Sequence, residues 1–480
     1  MSGGQRRASS ERPTNVVLVT VDSLRADGVG FHDESRHTPV LDGLAEEGTV
    51  FERAYATGNW TPFSFPSILA SRPVFADTGT IGVTESPTLA ASLSESGVAT
   101  GGFNAANGFL TDHWGYDHGF DAFESFLTSE GRIGRALAAH PTVQAWLQLA
   151  AAPFRRAGAR LRGGSDDRPF LDTARTLDVE RAATDFVDDA EEPFFLWIHY
   201  MDAHTPYAPA PRYIREVSDG AVGTHRMLLA HTRAGLGRGV GDRTLADLRT
   251  LYQGGVRQVD ASVGRILDHL EAAGVREETT MLVAGDHGEE FQDHGHLAHY
   301  PKLYDELIHV PLIASGPGVV SQRVREPVGL DALPPTVAGL LDTDAPDAWT
   351  GEDLTGTLSG EERPDSDPVI SVAVRGEAVT TQPIPRGLDE GDLYVSVRND
   401  EWTYILNTAT EAGELYHRQS DPAQRHDLLA TGDDPDPDVR GAVDDLRPLA
   451  ETHARSLDAG EADATMDGDL EARLSALGYR

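Results

Sequence analysis

The stretch from Thr279 to Gly318, TTMLVAGDHGEEFQDHGHLAHYPKLYDELIHVPLIASGPG, limits what this chain can become more than any other. Its apolar run Met281–Ala284 reads as a buried strand that halts on Gly285-Asp286-His287-Gly288. In an open α/β sheet, ligands gather just past the carboxyl ends of strands, which is where this halt puts Asp286 and His287. Ionisable side chains crowd behind them, from Glu289 and Glu290 through Asp293, His294, His296 and His299 to Lys302, before a second strand at Val310–Ala314 closes the unit. A carboxylate beside an imidazole offers donors that suit a divalent cation. A lone Asp-His pair can equally serve turn hydrogen bonds, so its meaning depends on what the rest of the chain brings near it.

The first such element is Asn15–Val21, NVVLVTV, a β-branched run that predicts a central strand buried on both faces and ends on Asp22-Ser23. Asp22 is either a metal ligand at a strand tip or a cap for the turn that follows. Residues 38–48 then predict a short amphipathic helix, Thr49–Tyr55 a strand, and Asn59–Ser71 a helix start with Thr61, Ser64 and Ser67 set around Pro62 and Pro66. Free N–H groups and a positive dipole end suit a nucleophile that handles an anionic ester, although hydroxyls there also serve as plain caps. Helix Ser86–Ser96 and strand Ala99–Phe103 continue the alternation. Strand Phe194–Ile198 delivers His199, Asp202, His204 and Tyr207 to its end, and helix Leu251–Ala272 carries an Asp260 that reads as structural.

Charge excludes some partners. With 480 residues and a formal net charge of −37, the chain has room for two or three lobes, and its charge balance argues against nucleic acid or an anionic membrane as a general partner. Its positive charge is almost all arginine, Lys302 being its only lysine. Acidic excess without lysine resembles the bias of proteins from salt-loving archaea, in which molar salt screens self-repulsion. Cysteine is absent, which removes thiolate ligands and thiol nucleophiles. The polar, Arg/Ser-rich start has no apolar leader and no run is long enough to span a bilayer, so a cytoplasmic location is expected. From Gly131 to Arg168 the sign reverses, with seven arginines against Asp166 and Asp167, predicting amphipathic helices that form a lid or a patch for an anionic partner.

Five ordered motifs, NVVLVTVDSLRAD, TPVLDGLAEEGTVFERAYATGNWTPFSFPSILAS, PFFLWIHYMDAHTPY, AGDHGEEFQDHG and KLYDELIHVPLIASGPG, together resemble the sulfatase branch of the alkaline phosphatase superfamily. The resemblance covers roughly residues 14–345 and implies an α/β/α sandwich with a mixed central sheet. A small C-terminal α+β lobe at 366–480 follows the acidic linker 361–367, with strands Pro368–Val374, Leu393–Arg398 and Thr403–Leu406 and a helical tail ending in LEARLSALGY. An Arg-rich insertion occupies about 128–170, and Val328–Leu341 resembles the helix that ends the catalytic unit.

The same resemblance implies that Asp22, Asp286 and His287 ligate a divalent metal ion, Ca²⁺, Mn²⁺ or Zn²⁺, with Ser23 standing where many members carry a second aspartate and His294 a candidate for a second metal. Thr61 falls at the nucleophile position, where family sulfatases oxidise Cys or Ser to formylglycine; the methyl on its Cβ makes that aldehyde unattainable. In a second register Ser64-Phe65-Pro66-Ser67 makes Ser64 the nucleophile; in the first, Ser64 binds substrate and Phe65 replaces a supporting arginine. His204 is expected to assist the leaving oxygen, and Lys302 or His299 to bind the anion. The substrate expected is a small-molecule or glycan sulfate ester. Phosphate mono- or diester hydrolysis or transfer through Thr61 is the alternative, and a catalytically inactive anion-binding protein is a rival of another class.

Overall fold

In a computed structural model, the described residues are 12–457 apart from 77–78, 127–174, 220–221, 224–225, 228, 232–239, 300–301, 366, 376–384 and 431–435. The Arg-rich insertion and the last expected helix lie outside them.

The strands run β1 (Asn15–Val21), β2 (Thr49–Tyr55), β3 (Ala99–Asn104), β4 (Ala122–Glu124), β5 (Phe194–Tyr200), β6 (Thr279–Gly285), the short pair β7 (Glu290–Phe291) and β8 (Leu297–Ala298), β9 (His309–Ser315), β10 (Gln322–Val324) and β11 (Val328–Gly329). Those other than β7 and β8 form one sheet in the order β10-β2-β9-β6-β1-β5-β3-β4, with β11 also on β2. β1 pairs in parallel with both β5 and β6, whereas β9 runs antiparallel to β6 and β2, so the sheet is mixed.

Every residue of β1, β5 and β6 is buried, as the β-branched and apolar runs require of strands covered on both faces. Side-chain alternation divides them between two cores. Val16, Leu18, Trp197 and Leu282 pack with Phe63, Phe65 and Ile68 of the helix Thr61–Ala70. Val17, Val19, Ile198 and Val283 pack with Leu251, Val259 and Val263 of the long helix Asp242–Ala273. The result is the expected alkaline-phosphatase-like three-layer arrangement. Asp260 on the long helix accepts the backbone N–H groups of Val40 and Leu41, capping the helix Pro39–Glu47 from another element.

Two expected helices begin late. Residues 86–88 stay extended or turned because Thr88 caps the helix Leu89–Glu95, its Oγ1 accepting from Ala91 N at 3.2 Å. In 328–341 the first residues are taken by the sheet edge and a 3-10 turn, and the helix starts at Leu333 with prolines in its first turn.

A second sheet, β12 (Val369–Arg375), β13 (Asp392–Arg398), β14 (Trp402–Asn407) and β15 (Gly413–His417), is antiparallel and is covered by the helix Pro437–Leu457. It is pinned to the segment that leads into Thr61: Ser371 Oγ donates to Ala56 O at 2.7 Å and Val372 N to Thr57 O at 2.8 Å. No described helix is long and apolar enough to cross a membrane.

Candidate active site

Parallel register brings the site together. Thr20 of β1 stands opposite Ala284 of β6 and His199 of β5, so Asp22 and Asp286, each one residue beyond its strand, emerge side by side. They continue the strand phase of Leu18 and Ala284, whose side chains belong to the core packed under the helix that begins at Thr61. The backbone is tight here. A Cβ on Gly285 would stand 2.3 Å from Leu24 O, and one on Gly288 2.0 Å from Glu306 O, which is why glycine brackets Asp286-His287. Ser23 takes a left-handed φ of 61° and thereby donates its N–H to Asp286 Oδ1 at 3.0 Å, while its hydroxyl donates to Asp22 Oδ1 at 2.9 Å.

Asp22, Asp286, His287 and Thr61 are all fully buried and mutually close. His287 Nδ1 faces the carbonyl of Gly288 at 2.8 Å, an acceptor only, so Nδ1 carries the proton and Nε2 presents a lone pair. That lone pair lies 3.5 Å from Asp22 Oδ1, 3.7 Å from Asp286 Oδ2 and 3.4 Å from Thr61 Oγ1. Thr61 Oγ1 donates to Asp22 Oδ2 at 3.2 Å. Ser64, one turn further along, instead donates to the backbone carbonyl of Asp286 at 2.6 Å, which ties the helix to the β6 tip.

Electrostatics separate the two carboxyl groups. Burial works to raise the Asp22 pKa, but His204, His199 and His287 around it outweigh that and hold it below the carboxylate range. Asp286 is pushed well above that range by burial and by the charge on Asp22. Burial also drives the imidazoles of His204, His287 and His299 down, leaving them neutral at pH 7. Two carboxyl groups and a neutral imidazole lone pair converging in a buried space, with Asp286 Oδ2 lacking a hydrogen-bond partner among the described residues, fit a divalent cation by the chemistry of the donor set.

Of the other expected residues, His299 is brought in and Lys302 is turned away. The His299 ring packs against His204 at 4.9 Å and His287 at 4.8 Å, and its carbonyl accepts from Trp60 Nε1 at 2.9 Å. His204 is buried beside Asp22, close enough to feel its charge. Lys302 Nζ donates to Glu414 Oε1 of β15 at 3.0 Å and lies over Tyr304 and Tyr394, a carboxylate and aromatic faces that hold the ammonium in the C-terminal lobe. His294 is likewise committed elsewhere, bonded to Glu306 and to Gln424 O and stacked on Tyr304. Phe65 meets His199 edge-on at 5.0 Å and packs on Trp197 and Tyr116.

Three residues to which the sequence reading assigned no role in the site join it. Asn107 directs Nδ2 to Asp22 Oδ2 at 3.0 Å and to Thr61 Oγ1 at 3.5 Å, from a loop folded by Asn104 accepting Asn107 N and Asn107 Oδ1 accepting Phe109 N. Glu289 is fully buried, and its pKa is raised well above normal by burial and by Asp22, although the hydroxyls of Tyr207 and Ser23 face it without ordinary hydrogen-bond geometry. His199 completes a cluster with Asp22 and Asp286 whose ligand atoms all lie within 4.8 Å of one another. The signal in the sequence was polar side chains inside apolar or Gly/Ala-rich runs: a histidine in FFLWIHY and paired asparagines in NAAN.

Fold and strand-end site together define an alkaline-phosphatase-like protein. The Sulfatase family model matches residues 14–343, and the chain belongs to that family. It is 22% identical to a Delta 4,5-hexuronate-2-O-sulfatase of Bacteroides thetaiotaomicron over 99% of this chain and 96% of that one. It is 26% identical to the uncharacterized sulfatase YidJ of Escherichia coli over 52% of this chain and 50% of that protein, so it spans about half the length of that relative. In fold it is similar to a phosphonate monoester hydrolase of Agrobacterium radiobacter, with a TM-score of 0.68 at 18% identity, covering 92% of this chain and 96% of that one.

Proposed function

We propose that the protein hydrolyses sulfate esters with Thr61 as nucleophile, and that Asp22, Asp286 and His287 hold a divalent cation, Ca²⁺, Mn²⁺ or Zn²⁺. One observation carries this reading: the Thr61 hydroxyl, at the start of a buried helix, lies 3.2 Å from Asp22 Oδ2 and 3.4 Å from His287 Nε2. A cation held there would supply Lewis-acid stabilisation of charge on the nucleophile and on the ester oxygens. Thr61 Oγ1 bonds to sulfur as the bond from sulfur to the ester oxygen breaks. The threonine proton ends on the departing alcohol, transferred at His204, whose neutral imidazole can hold it in passage. Water then displaces Thr61 from sulfur, releasing sulfate and a proton and restoring the hydroxyl. The helix dipole, the Asn107 amide and His299 face the anion, whereas Lys302 acts through the lobe it anchors.

A second reading, phosphate mono- or diester hydrolysis, is favoured by Thr61 itself, since a hydroxyl that cannot become an aldehyde must work by displacement at phosphorus or sulfur alike. Turnover of p-nitrophenyl sulfate, phosphate and a phosphodiester by wild type and Thr61→Ala in molar KCl separates them. Sulfate turnover lost in the variant supports the first reading, and dominant phosphoryl turnover that also needs Thr61 moves the protein to the second.

We also read the chain, with 77 acidic and 40 basic residues, as built for a salt-rich cytoplasm. At ~1 M salt the Debye length of about 3 Å screens that repulsion. A circular dichroism spectrum unchanged on dialysis into dilute buffer would remove this idea.

A further inference from the structure

We propose that His199 is itself a ligand of the cation, making the shell Asp22, Asp286, His287 and His199, and that this nitrogen-rich set selects zinc or manganese over calcium. The inference rests on the reading above that Asp22, Asp286 and His287 bind a cation at all.

His199 is fully buried, and Nε2 has no hydrogen-bond partner among the described residues; the nearest carboxylate oxygen, Asp22 Oδ2, is 3.8 Å away. That is too long for a hydrogen bond and within the ~4 Å that two donors bound to one ion at about 2.0–2.1 Å each can span. Asp286 belongs to the same cluster, and its Oδ2 also has no hydrogen-bond partner among the described residues.

The other nitrogen is held. Nδ1 lies 2.9 Å from Thr20 Oγ1, which accepts the indole N–H of Trp197 at 2.9 Å and turns its own proton toward Ile198 O at 3.5 Å. Ligation at Nε2 requires the imidazole proton on Nδ1, where Thr20 Oγ1 at 2.9 Å can accept it while its own proton turns to Ile198 O, leaving Nε2 as a lone pair on the side of the carboxylates. An outer hydrogen bond that fixes tautomer and ring angle is the usual support of a metal-bound histidine. Phe65, edge-on at 5.0 Å, blocks ring rotation. Ser23 leaves room for this donor, because its hydroxyl is spent on Asp22 Oδ1 at 2.9 Å.

Two imidazoles and two carboxylates suit zinc or manganese, whereas calcium takes six to eight oxygens. The test is competitive titration of chelator-treated full-length protein with Zn²⁺ and Ca²⁺, together with the visible absorption of the Co²⁺ form, for wild type, His199→Ala, His199→Gln and Thr20→Val. Zn²⁺ affinity should fall about 10–100-fold in both His199 variants, and in Thr20→Val to a lesser degree, with a change in the Co²⁺ bands. Wild type should prefer Zn²⁺ to Ca²⁺. His199→Gln keeps a hydrogen-bonding side chain of similar size, so it reports on ligation if His199→Ala fails to fold. Wild-type affinity and an unaltered Co²⁺ spectrum in His199→Gln would overturn the role of His199 while leaving the cation reading standing. Absence of any ion from wild type would overturn both.

Discussion

The hydroxyl oxygen of Thr61 lies 3.2 Å from Oδ2 of Asp22, although 39 positions of chain separate them. Asn107 Nδ2 touches both, at 3.0 Å from Asp22 and 3.5 Å from Thr61, so one amide orients the carboxylate and faces the oxygen that would attack. Replacing Asn107 by Ala should lower kcat about 10–100-fold with the fold intact, and Asn107→Asp should be worse because it adds a carboxylate beside Asp22. Steady-state kinetics with a circular dichroism control checks this; a rise in KM with kcat unchanged would assign Asn107 to ground-state binding.

Removing the cation should destabilise the fold as well as silence it. Asp22 and Asp286 converge in a buried space, and an ion bound only by the folded state adds about 2.7 kcal/mol when present at about 100 times its Kd. Chelation should therefore lower Tm in wild type and leave Asp286→Asn nearly unaffected. Equal chelator responses in the two proteins would contradict the assignment of Asp286 as a ligand.

Lys302 and His299 should part company. Lys302→Met breaks the pair with Glu414 and should cost about 1–2 kcal/mol of stability, since both side chains are partly buried, while kcat/KM stays within about threefold. His299→Ala, which empties the space between His204 and His287, should lose about 100-fold in kcat/KM. Denaturant melts and turnover of the two variants decide the matter.

Acid sensitivity should have a component at His231. Its Nε2–H donates to Tyr207 O at 3.0 Å, and burial pushes its pKa down to about 4 from an ordinary 6.5. The unfolded chain takes up a proton near pH 6.5 that the folded chain refuses until about pH 4, so this contribution is whole above pH 6.5 and is lost as the pH falls toward 4. His231→Gln keeps an N–H donor and does not titrate; its stability should fall about 3 kcal/mol less than that of wild type over this interval. Parallel pH profiles would contradict the shift.

Strand tips were legible because β-branched and apolar runs end abruptly on Asp22 and on Asp286-His287, and a buried parallel sheet leaves few other places for such residues. The helix start with its two prolines was legible, but it left Thr61, Ser64 and Ser67 equally open, and only the family resemblance pointed to Thr61. His199 and Asn107 were not legible. Their roles depend on which strand lies beside β1 and on a loop that folds through its own asparagine amides, and both facts arise only from long-range pairing. Lys302 misled by its rarity: composition marks it, but Glu414, more than a hundred residues away, holds it. The late starts of two helices came from a local cap at Thr88 and from an unfilled sheet edge at β2, the second of which no periodicity reports.

If Thr61 is the nucleophile, it carries the transferred group during turnover. Acid quenching during turnover of an activated sulfate ester and of its phosphate analogue, followed by tryptic digestion and mass analysis, should reveal a sulfuryl or phosphoryl group on the peptide that begins at Ala54. The modification should map to Thr61, vanish in Thr61→Ala and persist in Ser64→Ala. Full turnover in Thr61→Ala, or a modified Ser64 in wild type, would contradict the account.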